Sequence, residues 1–120
     1  MIGREMIKAS LGLMALGLAG CATYSSIKDR APLYEGTSAK SPSAITACVL
    51  PAWMNTNAAT HIVADGGQHI VVMPTSGVVA SQVMMTLTVA PNGSGSAVSM
   101  RTMPSVGDFK AQWDQVQSCL

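Results

Sequence analysis

The chain has 120 residues, 11% of them charged, and its formal net charge is +1 at pH 7. This length allows one small domain. The near-neutral balance excludes the dense basic surface that nucleic-acid binding requires, so no nucleic-acid partner is expected.

The N-terminus has the layout of a secretory signal peptide. A short polar stretch with Arg4 and Lys8 precedes an apolar run over residues 11–20, and Cys21 follows directly. That run is too short to cross a bilayer, because a membrane-spanning helix needs about 20 apolar residues. We therefore expect residues 1–20 to be a signal peptide that is removed on export.

The residues around the first cysteine carry a more specific signal. Leu18-Ala19-Gly20-Cys21 resembles the lipobox of bacterial lipoproteins. The resemblance implies cleavage before Cys21, diacylglycerol on its thiol, and a further acyl chain such as palmitate on the new amino group. Each buried methylene contributes about 0.8 kcal/mol, so two or three chains make membrane attachment practically permanent. An ordinary signal peptide that ends near a cysteine by chance is the alternative.

The residue after Cys21 bears on which membrane a lipoprotein is sorted to. An aspartate at this position favours inner-membrane retention in enterobacterial lipoproteins, whereas this chain has Ala22. The resemblance then implies a lipid anchor in the outer membrane, with the domain facing the periplasm. The whole chain is similar to small proteobacterial outer-membrane lipoproteins that have a cysteine near a first helix, a strand-rich middle and a terminal cysteine. That group has no common activity, so the likeness assigns no functional residue.

Residues 21–41 are predicted to be the lipidated cysteine and a flexible tether, which leaves residues 42–120 as the folded domain. Residues 22–41 mix Ser, Thr, Ala, Gly, Pro and paired charges without a sustained period, as linkers do. The tether would let the domain float free of the lipid headgroups.

A first helix is predicted to begin with Ser41 as its N-cap and Pro42 at its first position. Pro51 lacks an amide donor, so we expect a kink or an end near Leu50. The spacing places these residues on one apolar stripe: Ile45, Cys48, Val49, Ala52 and Trp53.

Two hairpins are predicted to follow. Residues 60–65 and 68–73 are rich in β-branched side chains and flank the glycine turn Gly66-Gly67. Residues 78–90 alternate in polarity and residues 96–103 can return beside them after a Pro-Asn-Gly-Ser-Gly turn. The side chains expected to point inward from this second pair are Val83, Met85, Leu87, Val89, Val98 and Met100.

A second helix is predicted near the C-terminus, where Ser105 can act as the cap and Asp108 lies in the first turn. Its apolar side contains Val106, Phe109, Trp113 and Val116. The predicted fold is α+β, in the order α-β-β-β-β-α, with a four-stranded antiparallel sheet and two helices on one face.

The cysteine count predicts one disulfide. Once Cys21 is assigned to lipid, Cys48 and Cys119 form an even set in an exported, oxidising compartment. Their bridge would join the two helices. Two free thiols or a redox pair are the alternative, but the chain has no CxxC motif.

His61 and His69 flank the first hairpin turn and are weak candidates for metal ligands. A two-residue loop that pairs Ala64 with His69 places the histidines on opposite faces of the sheet. A three-residue loop that pairs Ala64 with Gln68 places them on the same face. Since only three ligands are local even then, with Asp65 as the third, the sequence predicts no metal site.

The methionines and tryptophans allow functional and packing interpretations. Thioethers can bind Cu(I), but Met85 and Met100 fall at predicted core positions, which favours packing. Trp53 and Trp113 could stack on a ligand, yet each completes the apolar stripe of a predicted helix. Packing is the prediction for all four.

No catalytic site or cofactor motif is recognisable. The serines lack a nucleophile-elbow frame, the acidic residues form no evident pair, and no glycine-rich phosphate motif occurs. We therefore expect no enzyme and no cofactor, but a noncatalytic binding or structural module of the cell envelope, with the membrane and an envelope protein as partners. The alternatives are a periplasmic inhibitor or immunity-type protein, whose loop 91–96 blocks a hydrolase, and a metal-binding protein.

Overall fold

The computed structural model describes residues 27–75, 82–103 and 107–120. The predicted signal peptide, Cys21 with its lipobox, the first residues of the predicted third strand and the Ser105 cap lie outside the described residues.

The described residues form one antiparallel sheet of five strands and two helices. The elements in chain order are β1 (Tyr34–Ser38), α1 (Pro42–Met54), β2 (His61–Asp65), β3 (Gln68–Pro74), β4 (Val83–Asn92), β5 (Gly95–Thr102) and α2 (Lys110–Gln117). The strand order across the sheet is β1-β5-β4-β3-β2. The α+β class and the antiparallel sheet are confirmed. The prediction of four strands in the order α-β-β-β-β-α was wrong.

The additional strand comes from the segment predicted to be a tether. Tyr34 to Ser38 pair with β5 from Met100 to Ser96 and make β1 an edge strand. The Tyr34 ring stacks on Trp113 of α2 with 5.2 Å between the ring centroids, and the Tyr34 hydroxyl donates to the Asp108 carbonyl oxygen at 2.9 Å. The folded unit therefore begins before residue 42. A short polar strand of this kind has no strong local signal, because its partner lies some 60 residues away along the chain.

Both helices pack on the same face of the sheet, which we call the helix face. The side chains buried there come from α1, from α2 and from the three central strands. They are Ile45, Val49, Trp53, Val71, Met73, Met85, Leu87, Val89, Val98, Met100, Trp113 and Val116. The predicted packing role of the two tryptophans and of Met85 and Met100 is confirmed.

Helix α1 begins as predicted but ends later. The Ser41 hydroxyl oxygen accepts a hydrogen bond from the Ala44 amide at 3.3 Å, and Pro42 occupies the first turn. The helix continues through Pro51 to Met54, so of the two outcomes predicted near Leu50, a kink or an end, the end does not occur. Trp53 lies fully buried beyond the proline, and its packing holds the last turn in place.

Helix α2 is shorter than predicted and begins at Lys110. Phe109 precedes it in the left-handed region with φ of 50°, so the backbone turns sharply where the sequence predicted a continuous helix. The Asp108 carboxylate accepts from the Lys110 amide at 3.1 Å and thereby satisfies one amide at the start of the helix.

The first hairpin has the two-residue loop. Ala64 pairs with His69 and Asp65 pairs with Gln68, which leaves Gly66-Gly67 as the turn. Both glycines have positive φ, of 58° and 84°, as a type I′ turn requires. This register decides which side chains share a face of the sheet.

An irregularity between β3 and β4 changes one predicted orientation. Met73 pairs with Met85 but Pro74 pairs with Val83, so one additional residue of β4 is accommodated there. Val83 consequently packs with Ile70 and Val72 on the opposite face from Met85, Leu87 and Val89. The prediction that Val83 shares their face was wrong.

The predicted disulfide is present. Cys48 of α1 is bonded to Cys119, just after α2, and the two Cα atoms are 5.7 Å apart. The C-terminus is also tied to the region after β1, because Ser38 Oγ donates to the Leu120 carbonyl oxygen and Lys40 Nζ donates to that of Cys119. The disulfide and these two hydrogen bonds thus connect the two helices with the β1 edge of the sheet.

Candidate functional site

Neither α1 nor α2 packs on the opposite face of the sheet, which we call the open face. Side chains alternate between the faces along each strand, so the register places Ile70, Thr88, Ser99 and Glu35 here. Among residues 27–75, 82–103 and 107–120, a short segment of chain crosses this face. The open face therefore combines a small buried apolar cluster with polar side chains that remain partly accessible.

Residues 27–33 form that crossing segment, which we call the strap. Ile27 is only 1% exposed and packs against Ile70, Val72 and Val83. The Arg30 amide donates to the Ile27 carbonyl oxygen at 3.0 Å and closes a turn. The Leu33 amide donates to the Met100 carbonyl oxygen at 2.8 Å and leads the chain into β1. The strap thus crosses from β3 and β4 to the β1 edge.

A recess of about 350 Å³, which we call the polar groove, opens between the strap and the strands. This volume lies within the range of small-molecule sites, about 300–1,000 Å³. Its walls are charged and polar rather than apolar. The lining residues are Lys28, Asp29, Asp65, Gln68, Ile70, Thr88, Ser99 and Arg101.

The Arg101 guanidinium is held in place at the side of the groove. Its Nε donates to the Arg30 carbonyl oxygen at 2.8 Å, and its Nη1 donates to Ser99 Oγ at 2.7 Å. Within the part of the chain that the structure describes, these bonds use two of the five N–H donors of the group. Fixing the plane of a guanidinium prepares it to bind a carboxylate or phosphate.

The charges of the groove are balanced. Lys28 and Arg101 supply two cations, and Asp29 and Asp65 supply two carboxylates. A ligand carrying a single sign of charge would meet repulsion from half of these groups.

A second recess of about 440 Å³ lies beside β1 and β5. It shares Ser99 with the polar groove and is lined by Glu35, Gly36, Thr37, Ala97 and Val98. The two recesses are neighbours on the open face, so a ligand larger than the groove could extend toward the β1 edge.

The register separates the two candidate histidines. His61 pairs with Val72 on the open face, whereas His69 pairs with Val89 on the helix face. His61 Nδ1 contacts the Ala59 carbonyl oxygen at 2.9 Å. Among residues 27–75, 82–103 and 107–120, no group of three or more His, Cys, Asp or Glu side chains is placed to hold a metal ion.

The loop considered for an inhibitory role is a tight turn. Asn92 pairs with Gly95, so only Gly93 and Ser94 lie beyond the strand pairing. Gly95 and Ser96 are buried, and Ser96 Oγ donates to the Lys40 carbonyl oxygen at 2.8 Å. Little of this segment projects from the sheet.

The Ser99 hydroxyl, which lines the groove, has a structural partner. Ser99 Oγ accepts from a cation, Arg101, instead of donating to a base that would activate it.

On the helix side, the hydrogen bond from Lys110 to Asp114 raises the pKa of the Lys110 ammonium. That pair is exposed on α2, away from the groove, and exposed pairs contribute little to stability.

Comparison with protein-family models, with curated proteins and with solved structures finds no match to this chain. No helix in the described segments is long and apolar enough to cross a membrane.

The polar groove and the strap were not predicted from the sequence. No sequence motif marks Lys28, Asp29 or Arg101, which are ordinary charged residues. The first two also lie within a segment of linker composition. The one local hint was Ile27, an aliphatic residue among polar neighbours. The groove depends on contacts between residues about 70 positions apart, as the Arg101–Arg30 hydrogen bond shows.

Proposed function

We propose that the mature chain is a noncatalytic binding module of the cell envelope, anchored in the outer membrane by acyl chains on Cys21 and facing the periplasm. The observation that carries the proposal is the cysteine pairing. Cys48 and Cys119 are bonded to each other, so the third cysteine, directly after Leu18-Ala19-Gly20, remains for lipid. A structural disulfide between distant cysteines is also typical of exported proteins.

The open face supports a binding role. It carries a recess with a fixed guanidinium and charges of both signs, which is suited to holding a ligand. The hydrogen bond that Ser99 forms is with Arg101, a cation, rather than with a base that would activate its hydroxyl. The groove also has no histidine or cysteine in its lining. These features favour binding without chemical conversion.

The mass of the protein purified from membranes tests the anchor. We expect residues 21–120, increased by the acyl chains and reduced by two hydrogens for the disulfide. Cys21→Ser is the matched control and should remove the acyl mass while leaving the disulfide. A protein that retains residues 1–20, or that has an unmodified thiol at Cys21, would contradict the proposal.

The destination is tested separately by fractionating the inner and outer membranes. The wild-type chain should be found with the outer membrane, and Ala22→Asp should move it to the inner membrane. Ala22→Ser serves as a control because it changes the side chain without adding the charge. Wild-type protein in the inner-membrane fraction would contradict the outer-membrane assignment and leave the lipid anchor standing.

A further inference from the structure

We propose that two copies of this chain associate through the outer edge of β2, so that one antiparallel sheet runs through both copies. This inference concerns an interface between copies and rests neither on the lipid anchor nor on the polar groove. Three observations carry it: the position of β2 at the edge of the sheet, the exposure of its side chains, and the match between the strand and its own copy.

The outer edge of β2 presents the backbone groups of two residues, Ile62 and Ala64. Among the described strands, β2 is the last of the sheet and has β3 on one side. In the two-residue hairpin, Asp65 and Gln68 form the hydrogen-bonded pair next to the turn, and such pairs alternate along the ladder. The N–H and C=O groups of Ile62 and Ala64 therefore point away from β3. Edge groups in this position are ready to pair with a further strand.

The side chains of β2 are exposed, including aliphatic ones. Four of its five residues are exposed, and the central Val63 is half-buried. Ile62 is 39% exposed, and Met54, at the end of the neighbouring helix α1, is 41% exposed. The strand has no proline or lysine, which commonly keep an edge strand from pairing, and its acidic residue, Asp65, is the last one. β2 thus offers an aliphatic edge that a further strand would cover.

A second copy of β2 matches this edge in one antiparallel register. When Val63 lies opposite Val63 of the second copy, all five residues of each strand are paired. Ile62 then lies opposite the second copy's Ala64, so the outward backbone groups of each strand meet those of the other. A shift by one residue would place outward groups opposite inward ones, and larger shifts shorten the pairing.

The side chains are complementary in this register. The large Ile62 lies beside the second copy's small Ala64 on the helix face, while the central valines meet on the open face. His61 lies opposite the second copy's Asp65, which places an imidazole beside a carboxylate instead of two like charges. Asp65 also interacts within its own chain, so it contributes the sign of its charge and not a free hydrogen-bonding group. Each contact occurs twice, as in an isologous dimer.

The other edge of the sheet is less suited to this pairing. β1 has Gly36 at its centre, and a glycine provides no side chain for a cross-strand pair. Leu120 lies beside it, since a Cβ atom at Gly36 would be 3.3 Å from Leu120 Cδ1. The hydrogen bonds of Ser38 and Lys40 also hold the C-terminal residues at this edge. These contacts favour β2 as the edge that pairs with a second copy.

The geometry of the dimer is compatible with attachment of both copies to one membrane. Antiparallel pairing within one sheet relates the copies by a two-fold axis perpendicular to that sheet, so both open faces lie on the same side. Positions related by this axis lie at the same height along it. One flat membrane perpendicular to the axis therefore accommodates both Cys21 anchors of the proposed function.

Cysteine crosslinking of the purified full-length chain tests the register. Val63→Cys places two thiols at a pair without backbone hydrogen bonds, where Cα atoms are about 4.5 Å apart, a separation that a disulfide bridges. His61→Cys is the matched control on the same strand and face. The register places its two copies four residues apart along the strands, about 13 Å. After mild oxidation with diamide, Val63→Cys should give several-fold more covalent dimer than His61→Cys on non-reducing electrophoresis.

Peptide mass mapping identifies the bridge and distinguishes it from one through Cys21. We expect position 63 of one copy to be joined to position 63 of the other. Equal yields from the two variants, or no covalent dimer from Val63→Cys, would overturn the proposal. A bridge from position 63 to a different protein, when the variant is isolated from cells, would overturn it as well.

A proline at the outer edge tests the strand pairing itself. Ile62→Pro, added to the Val63→Cys protein, removes an outward N–H that β3 does not bind, and edge strands tolerate proline at such positions. The yield of covalent dimer should fall several-fold. Ile62→Val keeps this N–H and should leave the yield unchanged. A yield that does not respond to the proline would overturn pairing through this edge.

The melting temperature and an intact bridge between Cys48 and Cys119 show that each variant is folded. The comparison of positions 61 and 63 does not depend on the proline variant. Covalent dimer is measured on the purified chain whether or not Cys21 carries lipid. A negative result would therefore overturn the dimer alone and leave the proposed anchor standing.

Discussion

Ile27 shows how one side chain can move the boundary of a domain. It lies among polar residues in a segment of linker composition, yet it is almost completely buried against Ile70 and Val72. Burial of an isoleucine side chain contributes about 1.5–3 kcal/mol, enough to hold a short segment whose backbone also forms hydrogen bonds. The strap therefore belongs to the folded unit.

We predict that Ile27→Ala lowers the free energy of unfolding by about 2–4 kcal/mol, because the truncation leaves a cavity under the strap. Leu33→Ala in the same segment is the control, since Leu33 is 46% exposed, and it should change stability by less than about 0.5 kcal/mol. Urea unfolding of the detergent-solubilised chain measures both. Equal effects of the two substitutions would show that Ile27 does not hold the strap.

Gly95 is required by a close approach of two backbones. A Cβ atom at this position would lie 2.1 Å from the Ser38 carbonyl oxygen and 3.0 Å from the Ala39 Cα. Neither backbone atom can move without disturbing the pairing of β1 with β5.

We predict that Gly95→Ala destabilises the protein by about 1–3 kcal/mol, the usual range for overpacking. Ser94→Ala in the neighbouring exposed turn should stay within about 0.5 kcal/mol of wild type. Thermal unfolding followed by circular dichroism measures the difference. A Gly95→Ala protein as stable as wild type would mean that the backbone at Ser38 and Ala39 does not lie close to Gly95.

The first residue of α1 is set by residues adjacent in the sequence, whereas its last residue depends on tertiary packing. Ser41 and Pro42 specify the start through their own chemistry, and the structure has the predicted cap. Pro51 would end the helix if only local rules applied. The buried Trp53, whose Nε1 donates to the Gln112 carbonyl oxygen at 3.4 Å, keeps the final turn against α2.

We predict that Ser41→Ala lowers the free energy of unfolding by about 1 kcal/mol, since the Ala44 amide loses its acceptor. Ser41→Asp keeps an acceptor at the cap and should retain most of the wild-type stability. Chemical denaturation of the wild-type, Ser41→Ala and Ser41→Asp proteins measures their free energies of unfolding. If the aspartate variant loses as much stability as the alanine variant, capping is not the cause.

For the whole molecule, the disulfide is the main covalent constraint on a small core. It links α1 to the end of α2, while Ser38 and Lys40 hydrogen-bond to the last two carbonyl groups of the chain. The bridge spans a sequence separation of 71 residues. A loop of this length contributes about 4 kcal/mol in the chain-entropy account.

We predict that Cys48→Ser combined with Cys119→Ser lowers the free energy of unfolding by about 4 kcal/mol, which leaves the protein marginally stable. A reducing agent should destabilise the wild-type chain by a similar amount and leave the double variant unchanged. Guanidinium unfolding with and without the reductant measures this. A wild-type chain that is insensitive to reduction would show that the bridge does not contribute.

Much of the open face could not be predicted, because its site is assembled from residues with no shared local pattern. The polar groove joins the strap to β3, β4 and β5, and Arg101 meets Arg30 across 71 positions. The orientation of Val83 depends on the irregular pairing with Pro74. Neither feature has a period or a motif that a single segment could display.

The amino-acid sequence by itself determined the features that depend on neighbouring residues or on the cysteine count: the Ser41 cap, the position of a turn at Gly66-Gly67 though not its register, the alternation of β4 from Met85 onward and of β5, and the pairing of Cys48 with Cys119. Tertiary structure alone decided the β1 edge, the burial of Ile27, the start of α2 and the groove. The physical reason is that a turn or a cap is stabilised by neighbours along the chain, whereas an edge strand or a strap is stabilised only by the sheet on which it packs.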